Sequence, residues 1–154
     1  DPFHRSIRKR QREAPKFFFL DTGVKRAIDR TLRVELIPQT YAFGNAFEHW
    51  VIAECFRLNE YFKMDFRLSY LRTKDDAEID IIVERPGAED LLVEIKSTTH
   101  VSADDYQTLV RFAKDWDRPC KAQVWSLDEM LKRDGDIECL PWTQGLKLLF
   151  HQGL

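Results

Sequence analysis

The sequence has few of the features that mark a secreted or membrane protein. Its three cysteines, Cys55, Cys120 and Cys139, are odd in number, lie far apart and form no CxxC pair. Because no disulfide framework can be built from them, we expect a reducing, cytoplasmic environment. The chain also lacks an apolar run of about eighteen residues and a signal-peptide pattern, so we expect no membrane span and no membrane partner.

Two common kinds of ligand site are also missing from the sequence. The four histidines are scattered along the chain, which argues against a zinc site because zinc ligands come in closely spaced groups. No GxxxxGKS or GxxxxGKT loop is present, so we expect no ATP site within this chain. With 154 residues, of which 44% are hydrophobic and 32% charged, the chain has the size and composition of one globular domain.

Charge is unevenly distributed along the chain. Residues 1–33 carry ten Lys or Arg and four Asp or Glu, whereas residues 34–154 carry fourteen and twenty-two. We divide the chain into a basic arm or linker remnant over 1–15 and a single domain over 16–154. The arm could follow a nucleic-acid backbone, and the alternative is a solvated extension without a ligand. The candidate DNA-binding residues are Arg5, Arg8, Lys9, Arg10 and Arg12. Because the chain begins at Asp1 without a methionine, we expect it to be part of a longer protein.

Apolar periodicity and turn residues predict alternating helices and strands. The expected strands cover 16–20, 66–72, 78–84, 91–97 and 122–126. The expected helices cover 24–32 (capped by Asp21 or Thr22), 45–62, 103–116, 127–133 and 141–150. Residues 39–44 are expected to be a break before the longest helix.

The most informative segment is a predicted hairpin of the strands 78–84 (EIDIIVE) and 91–97 (LLVEIKS), joined by a turn around Gly87. If the hairpin is symmetric about this glycine, residues whose numbers sum to about 174 face each other. Asp80 is then opposite Glu94.

The side-chain alternation of a strand divides this hairpin into an apolar and a polar face. The predicted apolar face consists of Ile79, Ile81, Val83, Val93 and Ile95. The predicted polar face consists of Glu78, Asp80, Glu94 and Lys96. Opposed carboxylates repel, and a divalent cation relieves that repulsion well. The alternative is that these residues form the water-exposed side of an antiparallel sheet.

The predicted helix over 45–62 adds two more carboxylates. Glu48 lies at the edge of its apolar stripe, from which it could reach the sheet. Glu54 lies near the middle of the stripe, where a carboxylate is costly unless it is paired. For Glu54 we expect a structural hydrogen bond or salt bridge.

The order helix, strand, strand, strand, helix, strand, with these acids, resembles the PD-(D/E)XK nuclease-like superfamily. The resemblance implies an α/β fold with a restriction-endonuclease-like core (αβββαβ), in which helices flank a mixed central sheet. It implies the catalytic residues Lys96, Glu94, Asp80 and Glu48. Of these, Asp80, Glu94 and Glu48 would bind Mg²⁺ or Mn²⁺. The proline of the superfamily motif is replaced here by Ile79.

A narrower resemblance is carried by the segments GNAFE (44–48), AEID (77–80), VEIKS (93–97) and FFLDTG (18–23). Together they resemble the nuclease-like C-terminal domain of prokaryotic AAA-type ATPases. The implied partners are DNA and the ATPase domain of the same parent protein, and the domain could form a homo-oligomer.

Three further positions are weaker candidates. Glu78 shares the predicted polar face and would pair with Lys96. Gln107 resembles a helical polar residue that some superfamily members keep near the site, although a solvated helix face explains it equally well. His100 and Ser97 lie just beyond the third strand.

Two hypotheses about function follow. The first is a metal-dependent endonuclease acting on DNA as the effector of an ATP-driven machine. The second is a non-catalytic module that uses the same fold for DNA docking, protein contacts or assembly. Competent residues at all four motif positions favour the first, and the acidic balance of residues 34–154 favours the second.

Overall fold

The computed structural model describes residues 16–73 and 76–150. Arg5, Arg8, Lys9, Arg10 and Arg12 of the predicted basic arm therefore lie outside the described residues. Within these ranges the helices are α1 (Thr22–Ile28), α2 (Tyr41–Phe62), α3 (Gln107–Lys114) and α4 (Trp142–Phe150), with a short 3-10 turn at Ala103–Asp105. The strands are β1 (Arg67–Arg72), β2 (Glu78–Glu84), β3 (Asp90–Lys96), β4 (Cys120–Ser126), β5 (Lys132–Asp134) and β6 (Ile137–Pro141).

The described strands form one six-stranded mixed sheet in the order β1-β2-β3-β4-β6-β5. The pairs β1–β2, β2–β3 and β5–β6 are antiparallel, whereas β3–β4 and β4–β6 are parallel. The predicted mixed sheet flanked by helices is confirmed at this level. None of the helices in the described ranges is long and apolar enough to cross a bilayer.

Apolar residues are buried on both faces of the sheet. On one face, Val51 and Ile52 of α2 and Leu149 of α4 pack against Ile81 and Val93. On the other face, a second cluster includes Leu109 and Phe112 of α3, Ile82, Leu92 and Val124. The alternative of a water-exposed sheet face is therefore wrong for the β2–β3 hairpin, because both of its faces are covered by buried apolar residues.

The register predicted for the β2–β3 hairpin is confirmed. Ile81 pairs with Val93, Ile82 with Leu92 and Val83 with Leu91. Strand β2 has the predicted bounds, and β3 is displaced by one residue from the predicted range.

The other edge of β2 contains an irregularity that the alternation pattern does not predict. Ser69 of β1 pairs with Ile82, whereas two residues further along β1, Leu71 pairs with Ile79. One residue of β1 thus stands opposite two residues of β2. This is a β-bulge, which inserts one extra residue into a strand and changes the direction of its side chains.

The bulge changes which residues of β2 point to each face of the sheet. Ile81, after the bulge, packs with the α2 and α4 residues, whereas Ile79, before it, packs with the α3 residues. The prediction that both isoleucines share one apolar face is wrong, because the extra residue shifts the alternation by one.

The predicted strand over 16–20 is an extended segment without ladder pairing. Its carbonyl groups bond to side chains of α2 instead of to a neighbouring strand. His49 Nε2 lies 2.7 Å from the Phe19 carbonyl oxygen, and Arg57 donates to the Leu20 carbonyl at 2.9 Å. The segment is thereby fixed along α2.

The first two helices keep their predicted places but not their predicted ends. Asp21 caps α1, accepting from Gly23 N at 2.7 Å and Val24 N at 3.0 Å. This helix ends at Ile28, short of the predicted end. Helix α2 begins at Tyr41, because the Thr40 side chain accepts from Phe43 N, so most of the predicted break is helical.

The C-terminal part differs most from the prediction. The helix expected over 127–133 is wrong, since β5 and β6 form a hairpin there. Gly135 adopts the positive φ of 57° that this turn requires. The helix expected over 103–116 is divided at Tyr106, whose φ of −132° is not helical. Pro141 ends β6, and the last helix starts at the next residue.

Candidate metal-binding site

Helix α2 carries Glu48 towards the sheet. Phe47 and Val51, on either side of Glu48 in sequence, are buried in the core, which fixes the rotation of the helix. The Glu48 side chain keeps 27% of its surface exposed. Glu54, further along the helix, forms the structural ion pair that was predicted, with Arg57 Nη1 at 2.6 Å.

Three carboxylates from α2 and β2 converge at this point. One oxygen each of Glu48, Glu78 and Asp80 lies within 4.8 Å of the others. Strand β2 contributes two of them because residues 78 and 80 are two apart, so ordinary alternation places both side chains on the face opposite to Ile79. Glu78, a secondary candidate by sequence, is thus a central member of the cluster. Grouped carboxylate oxygens are the ligands that Mg²⁺ and Mn²⁺ prefer.

Asp80 is the most buried of the three acids, with 8% of its surface exposed. Its Oδ2 accepts a hydrogen bond from Ile95 N at 2.7 Å, where the β2–β3 ladder ends. Burial raises the pKa of Asp80 well above its usual range, and the nearby carboxylates of Glu94 and Glu48 raise it further. A positive charge at this position would therefore be strongly favourable.

Glu94 has two chemically different oxygens. Its Oε1 forms an ion pair with Lys96 Nζ at 2.8 Å. Its Oε2 is buried and has no hydrogen-bond partner among the described residues. Burial raises the pKa of Glu94, although Lys96 opposes this effect. A buried acceptor without a partner costs free energy, so Oε2 is a free ligand position next to the acids.

Lys96 remains an ammonium at neutral pH. Burial lowers the pKa of Lys96, but the interactions with Glu94 and Asp80 outweigh burial and raise it overall. The predicted pair of Glu78 with Lys96 is wrong. The partner of Lys96 is Glu94, and the partner of Glu78 is a second lysine.

This second lysine, Lys16, was not found from the sequence. Its Nζ contacts Glu78 Oε1 and lies 3.4 Å from Glu48 Oε1. It also lies 5.4 Å from the centre of the Tyr70 ring. In sequence Lys16 precedes a run of apolar residues, and no local spacing links it to acids so far along the chain.

A cleft of about 530 Å³ borders the site. Its walls include Thr40 and Gly44 at the start of α2, Glu48, and Lys96 and Ser97 at the end of β3. A Cβ added at Gly44 would lie 3.4 Å from Ser97 Oγ, so the two walls approach closely there. Ser97, a weaker candidate, is therefore part of the cleft.

The remaining candidates make local contacts. Gln107 is exposed and donates to Asp104 Oδ1 at 2.8 Å, as expected for a solvated start of a helix. His100 is exposed, and its backbone N–H donates to Thr98 Oγ1 at 3.1 Å. The structure gives neither residue a contact with the acids.

Comparison with known proteins shows which family the chain resembles. The model of a family described as a domain of unknown function, DUF4143, matches residues 43–144. This range includes the four acids and Lys96 but not Lys16. No curated protein and no solved structure matches the chain.

Proposed function

The chain belongs to the DUF4143 family, and from its acidic site we propose that it is a metal-dependent phosphodiesterase, an endonuclease-like domain acting on DNA. The observation that carries this proposal is the buried, unpartnered Oε2 of Glu94 next to the converging carboxylates. Such an arrangement is costly without a cation and suits Mg²⁺ or Mn²⁺ with it.

The ligand set fits a hard divalent cation. Every candidate ligand atom is a carboxylate oxygen, and we propose that Asp80, Glu94 and Glu48 hold the ion. When bound, the ion supplies positive charge to the phosphoryl oxygens of the transition state. Asp80 is oriented for this task by the Ile95 N–H, which fixes Oδ2 and leaves Oδ1 for a ligand.

Lys96 is proposed to act on the attacking water and the developing negative charge. Its ammonium lies in the cleft wall, held by Glu94 Oε1. Because its pKa is raised, Lys96 donates hydrogen bonds rather than accepts a proton at neutral pH. It therefore orients the water and stabilises the pentacovalent phosphorus.

The order of helices and strands supports a more specific fold assignment than a mixed α/β sheet. From α2 to β4 the chain runs helix, three antiparallel strands, helix, and a strand parallel to β3. We propose that this is a restriction-endonuclease-like core of the PD-(D/E)XK type. The family is typically found in AAA-ATPase-associated proteins, which supports an ATPase domain as the partner.

Plasmid cleavage in Mg²⁺ or Mn²⁺ tests this function. We expect the unchanged protein to cut, and Lys96→Met, Glu94→Gln and Asp80→Asn to lose about 100-fold or more of the rate. Lys121→Met is the matched control, since this β4 lysine is 57% exposed, forms its ion pair with Glu89 and pairs with Leu91, at the other end of β3 from Lys96. The proposal is wrong if the unchanged protein is inactive in both metals, or if Lys96→Met cuts equally well.

A second function is favoured by a separate observation. The segment over 17–41 exposes many apolar side chains, and α1 buries no residue. The most exposed of these side chains are Phe17, Leu20, Ile28 and Tyr41. An apolar surface of this kind is typical of protein contacts, so a non-catalytic interaction module is the alternative if cleavage is absent.

A further inference from the structure

We propose that Lys16 fills one of two cation positions in the acidic site, so that the domain binds one divalent ion where its acids alone would bind two. This inference rests on the proposed function, because it concerns the metal content of the same site. It assigns a role to a residue outside the range that the family model matches.

The first argument is geometric. The Lys16 ammonium contacts carboxylate oxygens of both Glu48 and Glu78, which belong to the group that could hold a metal. A divalent ion bound by these two residues would need oxygens at about 2.0–2.6 Å. That ion and the ammonium would occupy the same space, so their binding is mutually exclusive.

The second argument concerns the other half of the site. Glu94 Oε2 has no partner among the described residues, and Asp80 receives a hydrogen bond only on Oδ2. Asp80 and Glu94 thus keep free ligand oxygens. Lys16 contacts Oε1 of Glu48 and Oε1 of Glu78, which leaves the other oxygen of Glu48 for the ion of the proposed function.

The third argument is charge balance. The ionised site contains four carboxylates, Glu48, Glu78, Asp80 and Glu94. Lys16 and Lys96 supply two positive charges, which leaves two negative charges when all four acids are ionised. One divalent ion neutralises that remainder. Without Lys16 three negative charges would remain, which is more than one divalent ion neutralises.

Lys16 is also held in place by the surrounding structure. The segment that follows it is bound to α2 through His49 and Arg57. Its Nζ lies within cation–π range of the Tyr70 ring, and the side chain is only 24% exposed. These contacts distinguish it from a mobile surface lysine, and we class it as a positioning residue for the metal.

The test counts Mn²⁺ ions bound per chain, by titration followed through the EPR signal of free Mn²⁺. We expect one ion for the unchanged protein and two for Lys16→Met. Lys16→Arg, which keeps the positive charge, should bind one. Lys25→Met is the control, because Lys25 is an exposed lysine paired with Asp29 outside the site, and it should also bind one.

The increase in bound Mn²⁺ tests the role of Lys16, and the number of ions bound by the unchanged protein tests the proposed metal site. If Lys16→Met binds no more ions than the unchanged protein, the role of Lys16 is overturned whatever that number is. If the unchanged protein binds none, the metal of the proposed function is wrong, and a gain in Lys16→Met still supports the cation position. Circular dichroism verifies folding, and Lys16→Gln replaces Lys16→Met if the latter does not fold.

Discussion

At the scale of single residues, burial and the neighbouring groups together determine the pKa of a carboxylate. Asp80 is buried beside Glu94 and Glu48, so its pKa is raised and the ionised form is disfavoured. Asp128 is equally buried, with 4% of its surface exposed, yet its pKa is lowered to about 2. The donors around Asp128 outweigh the effect of burial on its pKa, whereas the acids near Asp80 add to the effect of burial. Asp80 therefore marks a site that needs a cation, and Asp128 marks a structural anchor.

The anchor role of Asp128 gives a pH-dependent prediction. Its carboxylate accepts from Lys132 Nζ at 2.6 Å, Met130 N at 3.0 Å and Val101 N at 3.1 Å. A folded-state pKa below the unfolded value means that the unfolded chain binds more protons. The contribution to the free energy of unfolding is therefore complete above about pH 4 and is lost as the pH falls towards about 2.

We expect Asp128→Asn to lower the free energy of unfolding by about 2 kcal/mol at pH 7. The loss should shrink as the pH approaches 2, where the unchanged protein no longer has this contribution. Urea denaturation from pH 2 to pH 7 measures the loss of unfolding free energy and its dependence on pH. Asp117→Asn, at an exposed position, is the control. An equal loss of unfolding free energy at every pH would show that the ionised form of Asp128 is not the source of the stabilisation.

At the scale of helices and strands, the sequence predicts those features that depend on residues close together in the chain. The β-branched runs of β2 and β3 and the turn at Gly87 determine the hairpin register, and they gave it correctly. The Asp134-Gly135 pair is a hairpin signal of the same kind, and in the structure it outweighs the pattern that predicts a helix over 127–133. The bulge in β2 has no such local signal, because it depends on how β1 pairs with the other edge of the strand.

The candidate site was partly predictable because most of its residues lie in segments with a clear local pattern. Asp80, Glu94 and Lys96 lie close together in one hairpin, and Glu48 lies at a defined edge of an amphipathic helix. Lys16 contacts residues 32 and 62 positions away in sequence. Only the tertiary packing of the extended segment on α2 brings it to the acids.

The packing of α4 on β4 gives a prediction about one glycine. A Cβ added at Gly145 would lie 2.4 Å from Cε2 and Nε1 of Trp125, which is completely buried. Replacing a helical glycine by alanine usually stabilises a helix. Here we expect Gly145→Ala to lower the free energy of unfolding by about 2 kcal/mol, because the core cannot accept the methyl group.

Urea denaturation of Gly145→Ala and of Thr143→Ala measures this effect. Thr143 is exposed in the same helix, so its substitution should change stability by less than about 0.5 kcal/mol. If Gly145→Ala is as stable as the unchanged protein, the helix does not approach Trp125 as closely as the structure indicates.

At the scale of the whole molecule, charge is distributed in a way that bears on DNA. Residues 34–154 carry twenty-two acids against fourteen basic residues, and the proposed site is itself acidic. A body of this charge repels a phosphate backbone unless metal ions or basic residues elsewhere compensate. The concentration of Arg and Lys over residues 1–15 is the obvious source of such compensation.

We therefore predict that DNA binding depends on the basic arm. Replacing Arg5, Arg8, Lys9, Arg10 and Arg12 by serine should weaken binding to duplex DNA. It should also reduce the slope of log K against log salt by up to about 4.5, near 0.9 for each lost phosphate contact. Fluorescence anisotropy at several salt concentrations measures the slope.

Serine substitutions at five exposed basic residues of the body (Arg30, Arg33, Lys114, Lys121 and Arg133) are the control, at equal change of charge. If they reduce the slope as much as the arm substitutions, the arm has no special role. Net charge alone would then account for the binding.

The burial of β2 on both of its faces has a consequence for how this strand can change during evolution. A strand with one water-exposed face tolerates substitution at every second position, because alternate side chains pack against nothing. In β2 every residue from Ile79 to Val83 is buried, since the strand contributes to both cores and to the acidic site. Mutational tolerance should therefore be low at each of these positions. The segment can be conserved for packing and for chemistry at once, without any position left free to vary.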